Sequence, residues 1–349
     1  MFKPQFNITP EINSRIAEIE RLRAVIGQAT ILPALEINLR FRATVEAVYS
    51  STSIEGNPLN EQQVKKILQG EVVLASDYAI QEVLNYKKAL DWLGRFIVSG
   101  QDFGSKEVLR LHQLVMDKLL PPKKVGSWRP GQVYIIDEVD GKEIVRFTGP
   151  DAKDVAKLVA SLFKWIPLQI ATKLHPVLLA GLIHYLFVSI HPFSDGNGRT
   201  TRLLVQYFLK SWRYDFRDTI SLDTYYLQHR KDYYRTLSRS DTFDGRMKAD
   251  ITPFLEFFTR GFLESAQTLA QFVLVGKVPT PSEKPLRLSY DELAILDFVH
   301  QFGSVTVTEA TGILNIPKRT VQRRLMGLVD KHILRMEKEG PATRYVMRK

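Results

Sequence analysis

The sequence predicts a mainly α-helical fold: a helical bundle that carries one small β-hairpin, followed by a small C-terminal winged helix-turn-helix module. Three observations lead there. Apolar residues recur at helical spacing along most of the chain up to about Phe272. Two β-prone runs flank a single Asp-Gly turn signal. A proline-bearing stretch then sets off a last segment with an apolar periodicity of its own. With 349 residues the chain is long enough for two or three units and a large core.

Taken in order, Ile12, Ile16, Ile19, Leu22 and Ile26 mark a first helix. A second amphipathic stretch runs from about Leu35 to Ile54 and stops at Gly56-Asn57-Pro58, a helix-ending sequence. Residues from about Lys106 to Leu119 read as helix. Gln132 to Asp137 (QVYIID) and Glu143 to Phe147 (EIVRF) are the strands of the hairpin, with Asp140-Gly141 as its turn. Helical periodicity resumes at Asp151 and is broken at His191 to Thr200, HPFSDGNGRT. The run before it, Leu174 to Ile190, falls short of the ~20 apolar residues of a membrane span. It also contains His175, Pro176 and His184, so it reads as a buried core helix. Residues 276–288 (GKVPTPSEKPLRL), with Pro279, Pro281 and Pro285, read as a linker.

Beyond the linker, Leu293, Ile295, Leu296 and Val299 mark one helix. Val305 to Leu314 holds a second, with Thr308 as its N-cap. Pro317 opens a third as its first helical residue, with Val321, Leu325 and Leu328 facing the core. Ile333 to Met347 folds as a two-stranded wing around Gly340-Pro341. The third helix carries Lys318, Arg319, Arg323, Arg324 and Lys331 against Asp330. Such a charge suits a recognition helix on DNA through residues 317–331, though modules of this kind also dock proteins.

Lysine and arginine exceed aspartate and glutamate by 48 − 38 = 10, and the pI is about 9.5. That balance fits a phosphate-rich partner or a solvated basic surface. The absence of cysteine excludes disulfides, thiolate zinc sites and cysteine nucleophiles, and fits a reducing cytosol. The N-terminus lacks the apolar core of a signal peptide, so a cytoplasmic protein with no membrane partner is expected.

The chemistry is concentrated in HPFSDGNGRT. Gly196 and Gly198 allow close backbone approach at a helix start, where free N–H groups and the helix dipole form an anion nest. Arg199 can grip phosphate oxygens, and Arg202 follows on the same helix face. Asp195 would repel an anion unless a hard cation such as Mg²⁺ lay between them. His191 can take a proton from an attacking hydroxyl. The parts suit transfer of a phosphate-containing group. No Walker phosphate loop or zinc-protease pair is present, and His184 with His191 lacks a third zinc ligand.

Extended to Arg202, the string resembles the signature of the Fic family, H-P-F-x-[DE]-G-N-G-R-x-x-R, with every position filled. The resemblance spans about residues 10 to 265 and implies a Fic-type helical bundle. It implies an AMP-transferase using ATP and Mg²⁺ to modify a Tyr, Ser or Thr hydroxyl of a protein, or of the chain itself. By the same resemblance His191 is the base and Asp195 the Mg²⁺ ligand. Gly196, Asn197, Gly198 and Arg199 form the phosphate loop, Arg202 meets the γ-phosphate, and Phe193 anchors the loop.

Glu55 ends the second helix, where the dipole disfavours an anion by about 0.3–1 kcal/mol. A nearby cation would reverse that sign, and Arg202 is the best candidate. Ser51, Glu55 and Gly56 resemble the family's inhibitory motif, [ST]-x-x-x-E-[GN], in its N-terminal position. The resemblance implies that Glu55 occupies Arg202 and blocks productive ATP binding. It also implies that the hairpin is a flap that aligns a target strand, where the residues alone equally describe a plain surface hairpin. The cluster Tyr225, Tyr226, Tyr233 and Tyr234 reads as helical core packing, and the resemblance implies Tyr234 as the candidate for adenine or ribose contact. Trp128 and Arg129 read as structural.

The expected domains are a helical region at 1–105, a catalytic core at 106–275, the linker at 276–288 and the module at 289–349. Other readings remain: a DNA-binding regulator whose nucleotide unit only senses, removal of AMP, or transfer of another phosphate group. Relatives that transfer phosphate carry Lys where this chain has Gly198, which favours AMP here. A homodimer is compatible with all of them.

Overall fold

The computed structural model describes residues 2–29, 33–139, 142–275, 288–331, 333–339 and 342–348. The Asp140-Gly141 turn, the Gly340-Pro341 turn and linker residues 276–287 lie outside the described residues.

The chain opens with α1 (Pro10–Gln28) and α2 (Pro33–Ile54). Thr9 caps α1 by accepting from the Ile12 N–H, and Ile12, Ile19, Leu22 and Ile26 are buried as the spacing requires. Helices α3 (Glu61–Leu68), α4 (Asp77–Ser99) and α5 (Ser105–Met116) follow. The hairpin is β1 (Tyr134–Val139) against β2 (Lys142–Thr148), with Tyr134 opposite Thr148 and an irregularity between Ile135 and Ile136.

Next come α6 (Val155–Ala171), α7 (Pro176–Ile190) and α8 (Asn197–Ser211). Three short helices, α9 (Asp223–Gln228), α10 (Arg230–Leu237) and α11 (Phe243–Lys248), lead into the long α12 (Thr252–Val275). Helix α7 is buried on every side: all of Val177 to Ile190 except Val188 is inaccessible to water. That is why it lacks the polar stripe of a surface helix. Its neighbours α1, α6, α8 and α12 share one apolar core with it, from Ile12 to Val273. A second core packs α2, α4 and α5 around Tyr86 and Leu111.

The C-terminal module is α13 (Tyr290–Phe302), β3 (Ser304–Thr306), α14 (Val307–Leu314), α15 (Lys318–Asp330), β4 (Leu334–Glu339) and β5 (Ala342–Met347). Its strands lie in the order β3-β5-β4, all antiparallel. Its core includes Ile37 of α2, so the module packs on the helical bundle.

Three details differ from expectation. The cap of α14 is Thr306, not Thr308: Thr306 and Glu309 close a reciprocal capping box, which starts the helix earlier. The residues before it, expected within the helix, add a third strand, β3, to the C-terminal hairpin of β4 and β5. Pro317 is the cap of α15, extended at ψ 136°, rather than its first helical residue. No helix among the described residues is long and apolar enough to cross a membrane.

Candidate active site

The site forms where α7 ends and α8 begins. Helix α7 terminates at His191, which takes a left-handed backbone (φ 49°) and returns its N–H to the Phe187 carbonyl at 3.2 Å. A non-glycine residue in this region costs about 1–3 kcal/mol and persists only where the surroundings enforce it. Arg129 supplies part of that enforcement. Its Nε donates to the His191 carbonyl at 2.9 Å, and its own N–H donates to the Pro192 carbonyl at 2.9 Å. Arg129 also donates to the carbonyls of Gly131 and Pro150, which flank the hairpin, so one buried arginine ties loop and hairpin together.

The loop is pinned from within. The Asn197 amide donates to the Phe193 carbonyl and accepts from the Phe193 N–H, both at 2.9 Å. Phe193 is fully buried and stacks on His112 at 3.8 Å and on Trp128 at 5.3 Å. His112 accepts at Nδ1 from the Gly126 N–H (3.0 Å), so its Nε2–H donates to the Asp195 carbonyl (3.1 Å). Gly196 caps α8 with φ 75°, and a β-carbon there would stand 2.6 Å from the Met116 sulfur. Helix α8 thus starts at Asn197, inside the motif, and its first turn presents free N–H groups.

His191 is half-buried. Burial, with Arg246 and Arg129 nearby, overcomes its bond to the Val188 carbonyl and lowers its pKa to about 4. The ring is therefore neutral at pH 7. The Val188 carbonyl can only accept, so Nδ1, 3.3 Å away, carries the proton and Nε2 offers its lone pair.

Arg202 is almost inaccessible and fully engaged. Its Nε donates to the Ser51 hydroxyl at 2.7 Å, and Nη2 donates to the Ser51 carbonyl and to Glu55 Oε1, each at 2.8 Å. Asp223 faces Nε at 3.2 Å. The Glu55 side chain is 25% exposed. Burial alone would raise its pKa, but Arg202 and then Arg199 outweigh this and hold the carboxylate below its ordinary value. Glu55 also crosses Gly198 so closely that a β-carbon there would lie 2.2 Å from Oε1. Asp223 shows the opposite balance: burial exceeds the pull of Arg202 and lifts it to about 6.

Arg199 lies 3% exposed between two carboxylates, Glu82 on α4 and Asp195 at 3.1 Å. Glu82 also accepts from the Asn57 amide at 2.8 Å, which joins the segment after Glu55 to the same ion pair. The Asp195 carboxylate is half-exposed. No group of three or more acidic or histidine side chains among the described residues forms a metal cage. One open carboxylate beside an anion nest fits Mg²⁺ held chiefly by a nucleotide's phosphates. Tyr225, Tyr226 and Tyr233 are core residues, and Tyr233 bonds His184 Nε2 at 2.9 Å. Tyr234 is the open member, 42% exposed, with its hydroxyl pKa raised by burial and by Glu55.

The structure therefore brings Ser51, Glu55, Gly198 and Arg202 into direct contact, and Asp195 against Arg199. Sequence reasoning missed Glu82 and His112. The one available signal was an acid at Glu82 within the apolar face of Ala79, Val83 and Tyr86.

Fold and site together define a helical protein with an anion-accepting loop at a helix N-terminus, a neutral histidine beside it and a masked arginine. Residues 102–209 of the chain match the model of the Fic/DOC family. It is 28% identical over 245 residues to "Protein adenylyltransferase Fic" of Drosophila willistoni, covering 70% of this chain and 45% of that protein. The protein of that name from Aedes aegypti is 31% identical over 218 residues, 62% of this chain and 39% of its own length. The chain thus spans less than half the length of these curated relatives. A solved Fic family protein from Desulfovibrio desulfuricans G20 superposes with TM-score 0.65 at 26% identity, covering 99% of this chain and 98% of that one. Fic-1 from C. elegans shares the fold at TM-score 0.59 and 22% identity, over 75% of this chain and 72% of that one.

Proposed function

We propose that the chain is an autoinhibited AMP-transferase that moves AMP from ATP to a Tyr, Ser or Thr hydroxyl of a protein, itself included. The observation that carries this reading is the Glu55 carboxylate bonded to Arg202 across Gly198, 2.8 Å from the guanidinium. A triphosphate laid along the first turn of α8 would compete for that same arginine.

The target hydroxyl gives its proton to Nε2 of His191 as its oxygen attacks the α-phosphorus. The bond from that phosphorus to the bridging oxygen breaks, and pyrophosphate leaves. The backbone N–H groups of Asn197 and Gly198 stabilise the phosphate charge, while that of Gly196 is bonded to Asp195, and Arg199 is held behind them by Glu82. The Asn197 side chain closes the loop rather than touching ligand. Asp195 would hold Mg²⁺, which supplies charge neutralisation on the triphosphate. Tyr234 would border the base, and the hairpin would align a target segment by strand addition. Glu55, displaced from Arg202, leaves it to the γ-phosphate.

The test uses ATP labelled at the α-phosphate with wild type, Glu55→Gly and His191→Ala. Strong label in Glu55→Gly, weak label in wild type and none in His191→Ala is expected. No α-label in any of the three would overturn the reading.

A second reading concerns residues 289–349 as a winged helix that binds DNA, with 1–105, 106–275 and the linker at 276–288 as the remaining units. It is favoured by Lys318, Arg319 and Arg323 on α15. Arg324 and Lys331 are instead paired with Asp291 and Glu292 of α13. Binding to duplex DNA that weakens with salt, and weakens further in Arg319→Ala/Arg323→Ala, is the expected outcome. Absence of salt-dependent binding would leave the module as a protein-docking unit.

A further inference from the structure

A cavity of about 450 Å³ lies between the helical core and the C-terminal module. Its walls come from α2, α4, α8, the segment leading into α9, and α13 and α14 of the module. Of the motif residues only Arg202 reaches it, so it is distinct from the loop at the start of α8. The volume falls within the ~300–1,000 Å³ typical of small-molecule sites.

Its lining is mixed: apolar walls that include Leu90, Leu93, Val205, Leu293 and Phe298 alternate with charged and polar side chains. The cations are already committed. Arg40 pairs with Glu36 at 3.0 Å and Asp218 at 3.2 Å, Lys87 with Asp91 at 2.7 Å, and Arg95 donates to the Ile313 carbonyl at 3.3 Å. Among the lining residues Arg40 Nε, the Tyr226 hydroxyl and the Asp223 oxygen that faces Arg202 take no hydrogen bond, and two further acceptors are left over. Oδ1 of Asp297 and Oε1 of Gln206 are buried and take no hydrogen bond from any described residue. A buried acceptor left unpaired costs about 1–3 kcal/mol, more when charged, so each such group calls for a partner. Both acceptors belong to residues that line this cavity. These two acceptors therefore call for hydrogen-bond donors from whatever fills the chamber.

We infer that this cavity is a binding site for a small organic amine: an apolar, ring-sized body in the chamber and a charged amino group against Asp297 and Gln206. The ammonium supplies several donors at once, which matches one carboxylate and one amide oxygen. Ala294 lies three residues before Asp297 on α13 and shares its face, so a large side chain there would fill the chamber. The assignment is independent of the nucleotide chemistry proposed above.

The probes are phenethylamine, tryptamine and naphthylmethylamine, with phenethyl alcohol as the uncharged match, titrated into the full chain by calorimetry without ATP. Saturable amine binding is expected, weaker by about tenfold for the alcohol and for Asp297→Asn, a loss of one charge-assisted bond. Gln206→Leu gives a smaller loss, and Ala294→Phe abolishes binding while the thermal unfolding transition is retained. Two results would overturn the site: no saturable binding by any of the amines, or equal amine affinity in wild type, Asp297→Asn, Gln206→Leu and Ala294→Phe.

Discussion

A β-carbon on Gly198 would stand 2.2 Å from the Glu55 carboxylate and 3.0 Å from Arg202. The glycine is therefore a spacing requirement of the ion pair as well as of any ligand. Gly198→Ala should push the end of the flexible, partly exposed Glu55 side chain aside and weaken its contact with Arg202, with folding stability changed by less than about 1 kcal/mol in chemical denaturation. A loss of several kcal/mol would mean that the pair resists displacement. His191 gives a pH prediction. Its pKa is lowered to about 4, and in the proposed mechanism the neutral ring is the working form. Activity limited by this base is present above that value and is lost as pH falls through it. In Glu55→Gly, the profile from pH 8 to 6 should be flat on the histidine's account; a step near 6.5 would assign His191 an ordinary, solvated environment. The motif residues were legible because each carries its own chemistry. Glu82 and His112 were not, because their partners lie 117 and 83 residues away; the acid at Glu82 in an apolar helix face was a signal of burial, not of its partner.

The helices were read from periodicity, and α1, α2, α5 and α7 lie close to where the spacing put them, while α8 starts inside the motif at Asn197. Their ends were harder, because a cap is decided by a side chain and a backbone N–H three residues on. Thr306 outcompeted Thr308 through its reciprocal bond with Glu309. Strand β3 is only three residues long and exists through pairing with β5, which no local pattern announces. The hairpin offers a prediction of its own. Arg129 is its tie to the loop, and Tyr134, Ile136 and Val145 remain exposed on it. Arg129→Ala should reduce labelling of a protein target by roughly tenfold or more, because misplacing the reacting groups by an ångström is costly. ATP binding by Glu55→Gly/Arg129→Ala, followed by calorimetry, should be nearly unchanged. Equal loss of both would make Arg129 a general support of the loop.

Across the whole molecule, burial perturbs bases and acids in opposite directions. His112, His184 and His191 are lowered from 6.5 to about 4, 3 and 4. Asp215, Asp223 and Asp297 are raised from 3.8 to about 6. As pH falls from 6.5 to 4, the unfolded chain takes up protons at the histidines that the folded chain refuses, which costs stability. Over nearly the same window the folded chain takes up protons at the aspartates that the unfolded chain does not, which restores it. Stability should therefore vary little between pH 6 and 4.5. Asp297→Asn removes one compensating group, and stability should then fall with pH by about 1.4 kcal/mol per unit more steeply than in wild type. Urea titrations at three pH values would show it; parallel curves for both proteins would contradict the balance.

The Asn57 amide donates to the Ala79 carbonyl and to Glu82, at 3.1 and 2.8 Å, while Ser51 and Thr52 upstream are fully buried. The backbone on both sides of Glu55 is held, with Ile54 fully buried, while the Glu55 side chain is partly exposed. In the proposed mechanism, unmasking Arg202 is therefore a short swing of that side chain over a fixed floor, with Ser53 to Gly56 its nearest backbone, not the departure of a helix. Its footprint in amide exchange should be confined to those few residues, so a trigger needs to reach only this one turn.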